Sequence, residues 1–339
     1  MTRSIEMKQI FTFGSTSAIA LSASIACASD DVRIERVTFE SGGHQLVGDL
    51  YLPGHVSPRH PAEAVVVTGA WTTIKEQMSG RYAAELAERG YIALAFDFRT
   101  WGESGGDTRS LENPAMKIED IIEAAAFLAD QPEVTAVHGL GICASAGYIA
   151  HAAERTDAFE TIALVAPWLH NAEIVDAVYG GTDGVHSLIE AGRSAAASER
   201  ETGEPVLMTA GGPSGSDALM PFDGYYSDPS RGMVPEWENT FNVASWEGWL
   251  TFDGIRSAGG INEPVLIVHS EAAAIPDGAR QFFDLLGGPK HDLWLDGSTQ
   301  FEFYDQIGPV TSASDAAAKH FATYSKRGSK EPVNAGGDE

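Results

Sequence analysis

The sequence predicts a doubly wound, mostly parallel α/β sheet carrying an aromatic-rich cap insertion, and three observations lead there. A hairpin pattern near the N-terminus gives way to buried apolar runs that alternate with helical spacing. One long interval, about 168–263, breaks that alternation and is crowded with aromatic residues. The composition is globular, with 43% hydrophobic and 21% charged residues in 339, enough material for a sizeable core.

Residues 37–53 alternate apolar and polar side chains around Ser41-Gly42-Gly43, as a hairpin with one solvated face does. Residues 64–68 and 91–96 are short continuous apolar runs, read as buried strands, with helical spacing over 82–89 between them. A helix over 118–129, a strand over 134–140 and a helix over 145–153 follow. Strands over 161–166, 265–268 and 293–295 and helices over 277–286 and 313–324 complete a domain spanning 32–325. The interrupting interval holds Trp168, Phe222, Tyr225, Tyr226, Trp237, Phe241, Trp246, Trp249 and Phe252. Compact domains rarely carry a structureless loop of that length, so it reads as a partly helical cap over the sheet's C-terminal edge, where open α/β folds bind ligands. Most of these aromatics are expected to form the cap's own small core.

Charge and cysteine content narrow the function. Lys plus Arg number 22 against 48 Asp plus Glu, a net charge of −26, which argues against a nucleic-acid partner and leaves a small-molecule substrate. Residues 1–28 read as a signal peptide for export: Arg3 and Lys8 precede an apolar run, and Ala26-Cys27-Ala28 fits a cleavage site. A lipid anchor at Cys27 is the second reading. Residues 326–339 read as a flexible tail, and after cleavage Cys143 is the one remaining thiol. There is no C-x-x-C and no helical histidine pair beside a glutamate, so neither a metal nor a cofactor is expected. The sequence sets no oligomeric state.

The segment VHGLGICASAGY, from Val137 to Tyr148, runs from a predicted strand into a predicted helix and reads three ways. Gly141-Ile142-Cys143-Ala144-Ser145 fits a nucleophile elbow with Cys143 at its apex. Cys143-Ala144-Ser145-Ala146-Gly147 instead places Ser145 there. Gly139-Leu140-Gly141-Ile142-Cys143-Ala144 fits a dinucleotide fingerprint, but that requires an acid ending the next strand, and residues 161–168 contain none. Register separates the other two: with the strand ending at Leu140, Cys143 falls at the apex and Ser145 inside the helix. The packing alternative is a buried cysteine acting as a small hydrophobe.

This segment, with TGAWTTIKEQM, FDFRTWGESGG and LIVHSE, resembles the α/β-hydrolase superfamily, and within it the dienelactone hydrolase-like and polyketide-transferase-like branch. The resemblance spans roughly residues 37–321. It implies a nucleophile at Cys143 and an oxyanion hole from the backbone of Ala144 and Ala70, with Trp71 at the mouth. It also implies an acid after the strand ending at Val268 and a histidine after the last strand. The acid loop offers Glu271 as its one carboxylate, with Ala272 an equally good positional match. Gln300 stands where the histidine belongs, and a glutamine cannot accept and return a proton near neutral pH. A thiol tolerates that loss better than a hydroxyl. His170, near Trp168, and His269 are the best-placed substitutes, His170 more often serving as a cap anchor. The other histidines, such as His44, His55, His60, His291 and His320, read as solvated, and Arg99 as a structural ion pair.

Three functions follow: a secreted hydrolase of an ester, thioester or lactone with a degenerate triad, a non-catalytic ligand-binding protein, and an acyl transferase. The intact elbow favours chemistry. The missing histidine favours binding or slow turnover.

Overall fold

The computed structural model describes residues 31–325. The expected signal peptide and tail lie outside the described residues. Among the described residues no helix is long and apolar enough to cross a membrane.

The hairpin forms β1 (Arg33–Ser41) and β2 (His44–Leu52). Then come β3 (Ala62–Thr68), α1 (Met78–Glu88), β4 (Ile92–Phe96), α2 (Pro114–Ala129), β5 (Val134–Ile142), α3 (Ala144–Arg155) and β6 (Ile162–Val165). After the cap, β11 (Val265–His269), α7 (Pro276–Leu285), β12 (Lys290–Trp294), α8 (Glu302–Asp305) and α9 (Ile307–Tyr324) close the chain. The eight-stranded sheet runs β1-β2-β4-β3-β5-β6-β11-β12, and every pairing from β4 to β12 is parallel. From β3 the chain steps one way through α1 to β4 and the other way through α2 to β5, so right-handed crossovers put these helices on opposite faces. Accordingly α1 packs with α9, and α2 with α3.

β5 is two residues longer than its apolar run suggested, because Gly141 and Ile142 still pair with Leu164 and Val165 of β6. Cys143 is therefore the first residue beyond the sheet. Arg99 is buried, with Nε 2.6 Å from Asp120 Oδ1 and a second pair to Glu119, which ties the loop after β4 to α2. His320 corrects its reading as solvated: it is 5% exposed, with Nε2 at the Pro264 carbonyl.

The interval between β6 and β11 is largely helical. It contains α4 (Ala172–Val178), α5 (Gly181–Thr202), α6 (Ser245–Leu250) and the short strands β7 (Leu207–Thr209), β8 (Gly211–Gly212), β9 (Met220–Pro221) and β10 (Thr240–Asn242). Strands β7 and β10 pair antiparallel, β8 and β9 parallel. Tyr225, Tyr226, Trp237, Phe241, Trp246 and Trp249 are buried, whereas Phe222 is 54% exposed.

Candidate functional site

Cys143 caps α3 with φ 55° and ψ −117°, a left-handed backbone that a non-glycine residue adopts only under constraint. The constraint is visible in its bonds. Cys143 N–H donates to Val165 O at 3.0 Å, and its carbonyl accepts from Trp168 N–H at 2.9 Å and Ala146 N–H at 3.1 Å. Gly141 has no room for a side chain, since a Cβ there would lie 2.5 Å from Ser145 O. Small residues thus let strand and helix meet, and the turn lifts the thiol above the sheet.

The sulfur lies among polar groups that favour its ionised form. The Tyr304 hydroxyl, the backbone N–H groups of Ala144 and Trp71, and the Gln300 carboxamide lie close enough to it to favour the thiolate. Burial pushes the thiol above its ordinary pKa, and these donors pull the other way. The donor expected at Ala70 is displaced by one residue, because Ala70 N–H points to Met78 Sδ at 3.4 Å. Thr72, with φ 65°, turns the loop so that Trp71 N–H faces the sulfur instead. Three groups hold that turn: Glu112 Oε2 accepts from Thr72 N–H at 3.1 Å, Trp237 Nε1 donates to Thr72 O at 2.8 Å, and Thr73 Oγ1 to Ala70 O at 2.7 Å.

Beneath the loop lies a buried ionic pair. Lys117 Nζ is 2.8 Å from Glu112 Oε2, and Tyr148 of α3 donates to Glu112 Oε1 at 2.8 Å. The ammonium also sits over the rings of Phe98 and Trp101, 4.6 and 5.0 Å from their centroids. One carboxylate thereby links the Trp71 loop, α2 and the helix that begins at the elbow.

On the opposite side the expected residues separate. Gln300 reaches the site and is fully engaged: Oε1 accepts from Ala274 N–H at 3.0 Å, and Nε2 donates to Ala166 O at 2.9 Å and to Tyr304 Oη at 3.1 Å. Glu271 does not reach it. Its side chain is 65% exposed and ion-paired with Arg280, while Ala272, Ala273 and Ala274 face inward. His170 is also not free: Nδ1 accepts from Trp168 Nε1 at 2.9 Å, so Nε2 carries the proton and donates to Trp249 O at 3.2 Å. Burial pushes its pKa down to about 4, which keeps it neutral. His269 is fully buried beside Trp294, also near 4 through burial, and does not line the cavity. Ser145 is fully buried, its hydroxyl without a hydrogen-bond partner, and lies outside the cavity wall.

Above Cys143 is a cavity of about 750 Å³ walled by Trp71, Trp168, Tyr179, Trp246, Trp249 and Phe301 among others, with Cys143, Ala144, Gln300 and Tyr304 also lining it. Among the described residues its wall contains no histidine and no charged side chain. The sequence reading missed Tyr304 and the role of Glu112. Tyr304 stands only four positions after Gln300, and that closeness in sequence was the available signal.

The fold and elbow define the class: this is the α/β-hydrolase fold. No protein-family model matches the chain. It is similar to YcjY of Escherichia coli K12, 28% identical over 290 residues that cover 80% of this chain and 92% of YcjY. PA2218 of Pseudomonas aeruginosa is 29% identical over 297 residues, 83% of this chain and 79% of that protein. The polyketide transferase claH of Penicillium crustosum is 23% identical over 283 residues, 79% and 90% of the two chains. Among solved structures, PA2218 superposes with a TM-score of 0.77 at 23% identity, covering 94% of this chain and all of the other. The α/β hydrolase GrgF of Penicillium sp. sh18 gives 0.71 at 18% identity over 86% and 99% of the chains. A dienelactone hydrolase of Anabaena variabilis gives 0.52 at 10% identity over 86% and 98%. The chain thus has the α/β-hydrolase fold and is similar in sequence to a protein named as a polyketide transferase.

Proposed function

We propose that the protein is a hydrolase or acyl transferase that takes an ester, thioester or lactone through an acyl thioester on Cys143. One observation carries this reading: the Cys143 thiol, at the apex of a strained elbow, shares the floor of an apolar cavity with the backbone of Ala144 and Trp71. A carbonyl attacked by that sulfur would direct its oxygen at those donors, and each such donor is worth roughly 10²–10³ in rate. The cavity volume lies within the range of small-molecule sites. Its uncharged aromatic wall favours a neutral, largely apolar acyl group. Because one relative is named a polyketide transferase, transfer stands beside hydrolysis in this reading. The leader-like residues 1–28 support an exported site of action.

A second reading has its own support. No side chain at the cavity can act as a base near neutral pH, which favours ligand binding without turnover. Mass spectrometry after incubation with activated esters and thioesters separates the two. An adduct mapped to Cys143, kept in Ser145→Ala and lost in Cys143→Ala, is the expected result. Absence of any adduct would leave the binding reading.

A further inference from the structure

The cavity above Cys143 reaches the surface between apolar side chains. Val178 at the end of α4 and Phe222 after β9 both line it, and they are 43% and 54% exposed. Three arginines bond to segments that supply its wall, and carboxylates hold all three. Arg231 donates to Phe301 O at 3.2 Å and forms a two-pronged pair with Asp305, both contacts 2.6 Å. Arg280 pairs with Glu271, the neighbour of Ala272, and lies 3.6 Å from Asp277. Arg193 pairs at 2.8 Å with Glu190 and with Glu247, which follows Trp246. The acids beside the exposed lining residues have no such partner. Asp176, two positions before Val178, accepts from Thr182 Oγ1 at 3.0 Å, and Asp223, directly after Phe222, accepts from Ser214 N–H at 3.0 Å. Those donors are neutral, so both charges stand uncompensated.

We infer that the mouth of the cavity selects the leaving group: the acyl donor is an uncharged ester, lactone or thioester, and thioesters carried on a phosphate-bearing arm, as in coenzyme A or an acyl carrier protein, are turned away. The inference rests on the Cys143 reading above and adds to it the class of leaving group. Acylation replaces the S–H of Cys143 by an S–acyl bond, and the leaving oxygen or sulfur departs with a proton. With the carbonyl at the sulfur on the cavity floor, the far end of a long thiol arm lies toward the rim.

A phosphate held there needs a free arginine or lysine, or an open helix N-terminus. Among the described residues the cavity wall supplies no cation, and the three arginines bonded to its segments already face carboxylates. The N-terminus of α5, next in the chain to Val178, carries Asp183 in its first turn, so an acid already answers that helix end. The phosphate would instead meet Asp176 and Asp223 on a chain of net charge −26. An uncharged leaving group meets only the apolar rim.

The experiment compares octanoyl-pantetheine with octanoyl-4′-phosphopantetheine, which share acyl group, thioester and arm and differ by the terminal phosphate. The rate of acylation mapped to Cys143 is read by mass spectrometry from about 0.01 M to about 1 M salt, across which the Debye length falls from about 30 to about 3 Å. The pantetheine thioester should react about tenfold faster at the lowest salt, and the gap should close as salt rises. Val178→Arg, which sets a cation at the rim, should narrow the gap at low salt by raising the rate of the phosphorylated donor. Equal rates at low salt, or a faster phosphorylated donor, would overturn the inference, and so would a gap that salt leaves unchanged, since size rather than charge would then be at work. The salt series needs only the parent protein, so it decides even if Val178→Arg fails to fold. A second arm measures binding of the same two thioesters to Cys143→Ala by quenching of tryptophan fluorescence, because Trp71, Trp168, Trp246 and Trp249 line the cavity. A salt-sensitive preference for the pantetheine thioester there, with no acylation of the parent, would keep the selective mouth and sink the acyl-transfer reading; equal affinities would sink the mouth, whether or not Cys143 is acylated.

Discussion

The two sides of Cys143 are built differently. On the side of Trp71, a fully buried carboxylate, an ammonium, a phenol and two indoles fix the backbone that presents an N–H to the sulfur. On the side of the loops after β11 and β12, alanines face the cavity, Glu271 turns out to Arg280, and the uncharged Gln300 reaches the site. The groups that would stabilise negative charge on oxygen are held by buried ionic bonds. The groups that would move protons are absent or neutral. On the reading proposed above, such a site would capture an acyl group far better than it would activate water to release it. Gln300 makes three hydrogen bonds where it stands, and these hold the loop after β12 against the loop after β11 and the end of β6.

The largest expected effect comes from rebuilding the weak side. Gln300→His with Ala272→Asp places an imidazole and an orienting carboxylate beside Cys143, and a positioned general base is worth about 10²–10⁴ in rate. Initial rates of p-nitrophenyl acetate hydrolysis from pH 6 to 9 should rise at least a hundredfold in the double variant and less in Gln300→His alone. The gain should appear with a midpoint near the ordinary histidine pKa, about 6.5. Equal, flat rates in all three proteins would mean that position 300 does not address the reacting atoms.

Breaking the strong side should cost stability before rate. Glu112→Ala leaves the Lys117 ammonium buried without its partner and frees Thr72 N–H and Tyr148 Oη. Removing one member of a buried pair destabilises by about 3–5 kcal/mol, because the remaining charge loses its compensation. Burial already pushes the Lys117 pKa down, with Glu112 opposing that shift. The paired variant Glu112→Leu, Lys117→Met removes both charges and should recover most of the lost stability in urea unfolding. It should nevertheless acylate slowly, since Thr72 N–H has no acceptor to hold the turn. A double variant as unstable as Glu112→Ala would show that the pair is not the source of the loss.

The sheet was legible because each parallel strand is a short continuous apolar run, and the elbow because Gly141 and Ala144 to Gly147 are small where strand and helix press together. The strong side was legible only in outline. Trp71 and Ala70 are neighbours, and the positive φ of Thr72 that decides which N–H faces the sulfur leaves no mark in a threonine. Glu112 is 31 positions from Cys143 in sequence, in the loop before α2, and gave no signal of its contacts. Across the acid loop a single step separates Glu271, which faces solvent, from Ala272, which faces the cavity. Tyr304 went unread because α8 is too short for periodicity to reveal it.

The smallest effect concerns His170, the substitute base suggested by the sequence. Its neutral ring bonds Trp168 and Trp249, so its contribution is to hold cap against sheet. Folding depresses its pKa to about 4, as it does for His269 and His320. An unfolded histidine binds its proton near 6.5 and the folded one only near 4, so stability from these rings is full above 6.5 and declines as pH falls toward 4. His170→Leu removes one of the three. At pH 7 it should lower stability by about 1–3 kcal/mol, because Trp168 Nε1 and Trp249 O lose their partner. At pH 5 the gap to the parent should narrow, because the variant no longer takes up that proton on unfolding. Urea unfolding at the two pH values reads both terms. The pH dependence of Cys143 alkylation by iodoacetamide should be the same in this variant and the parent; a shift toward higher pH would put His170 back among the groups that assist the thiol.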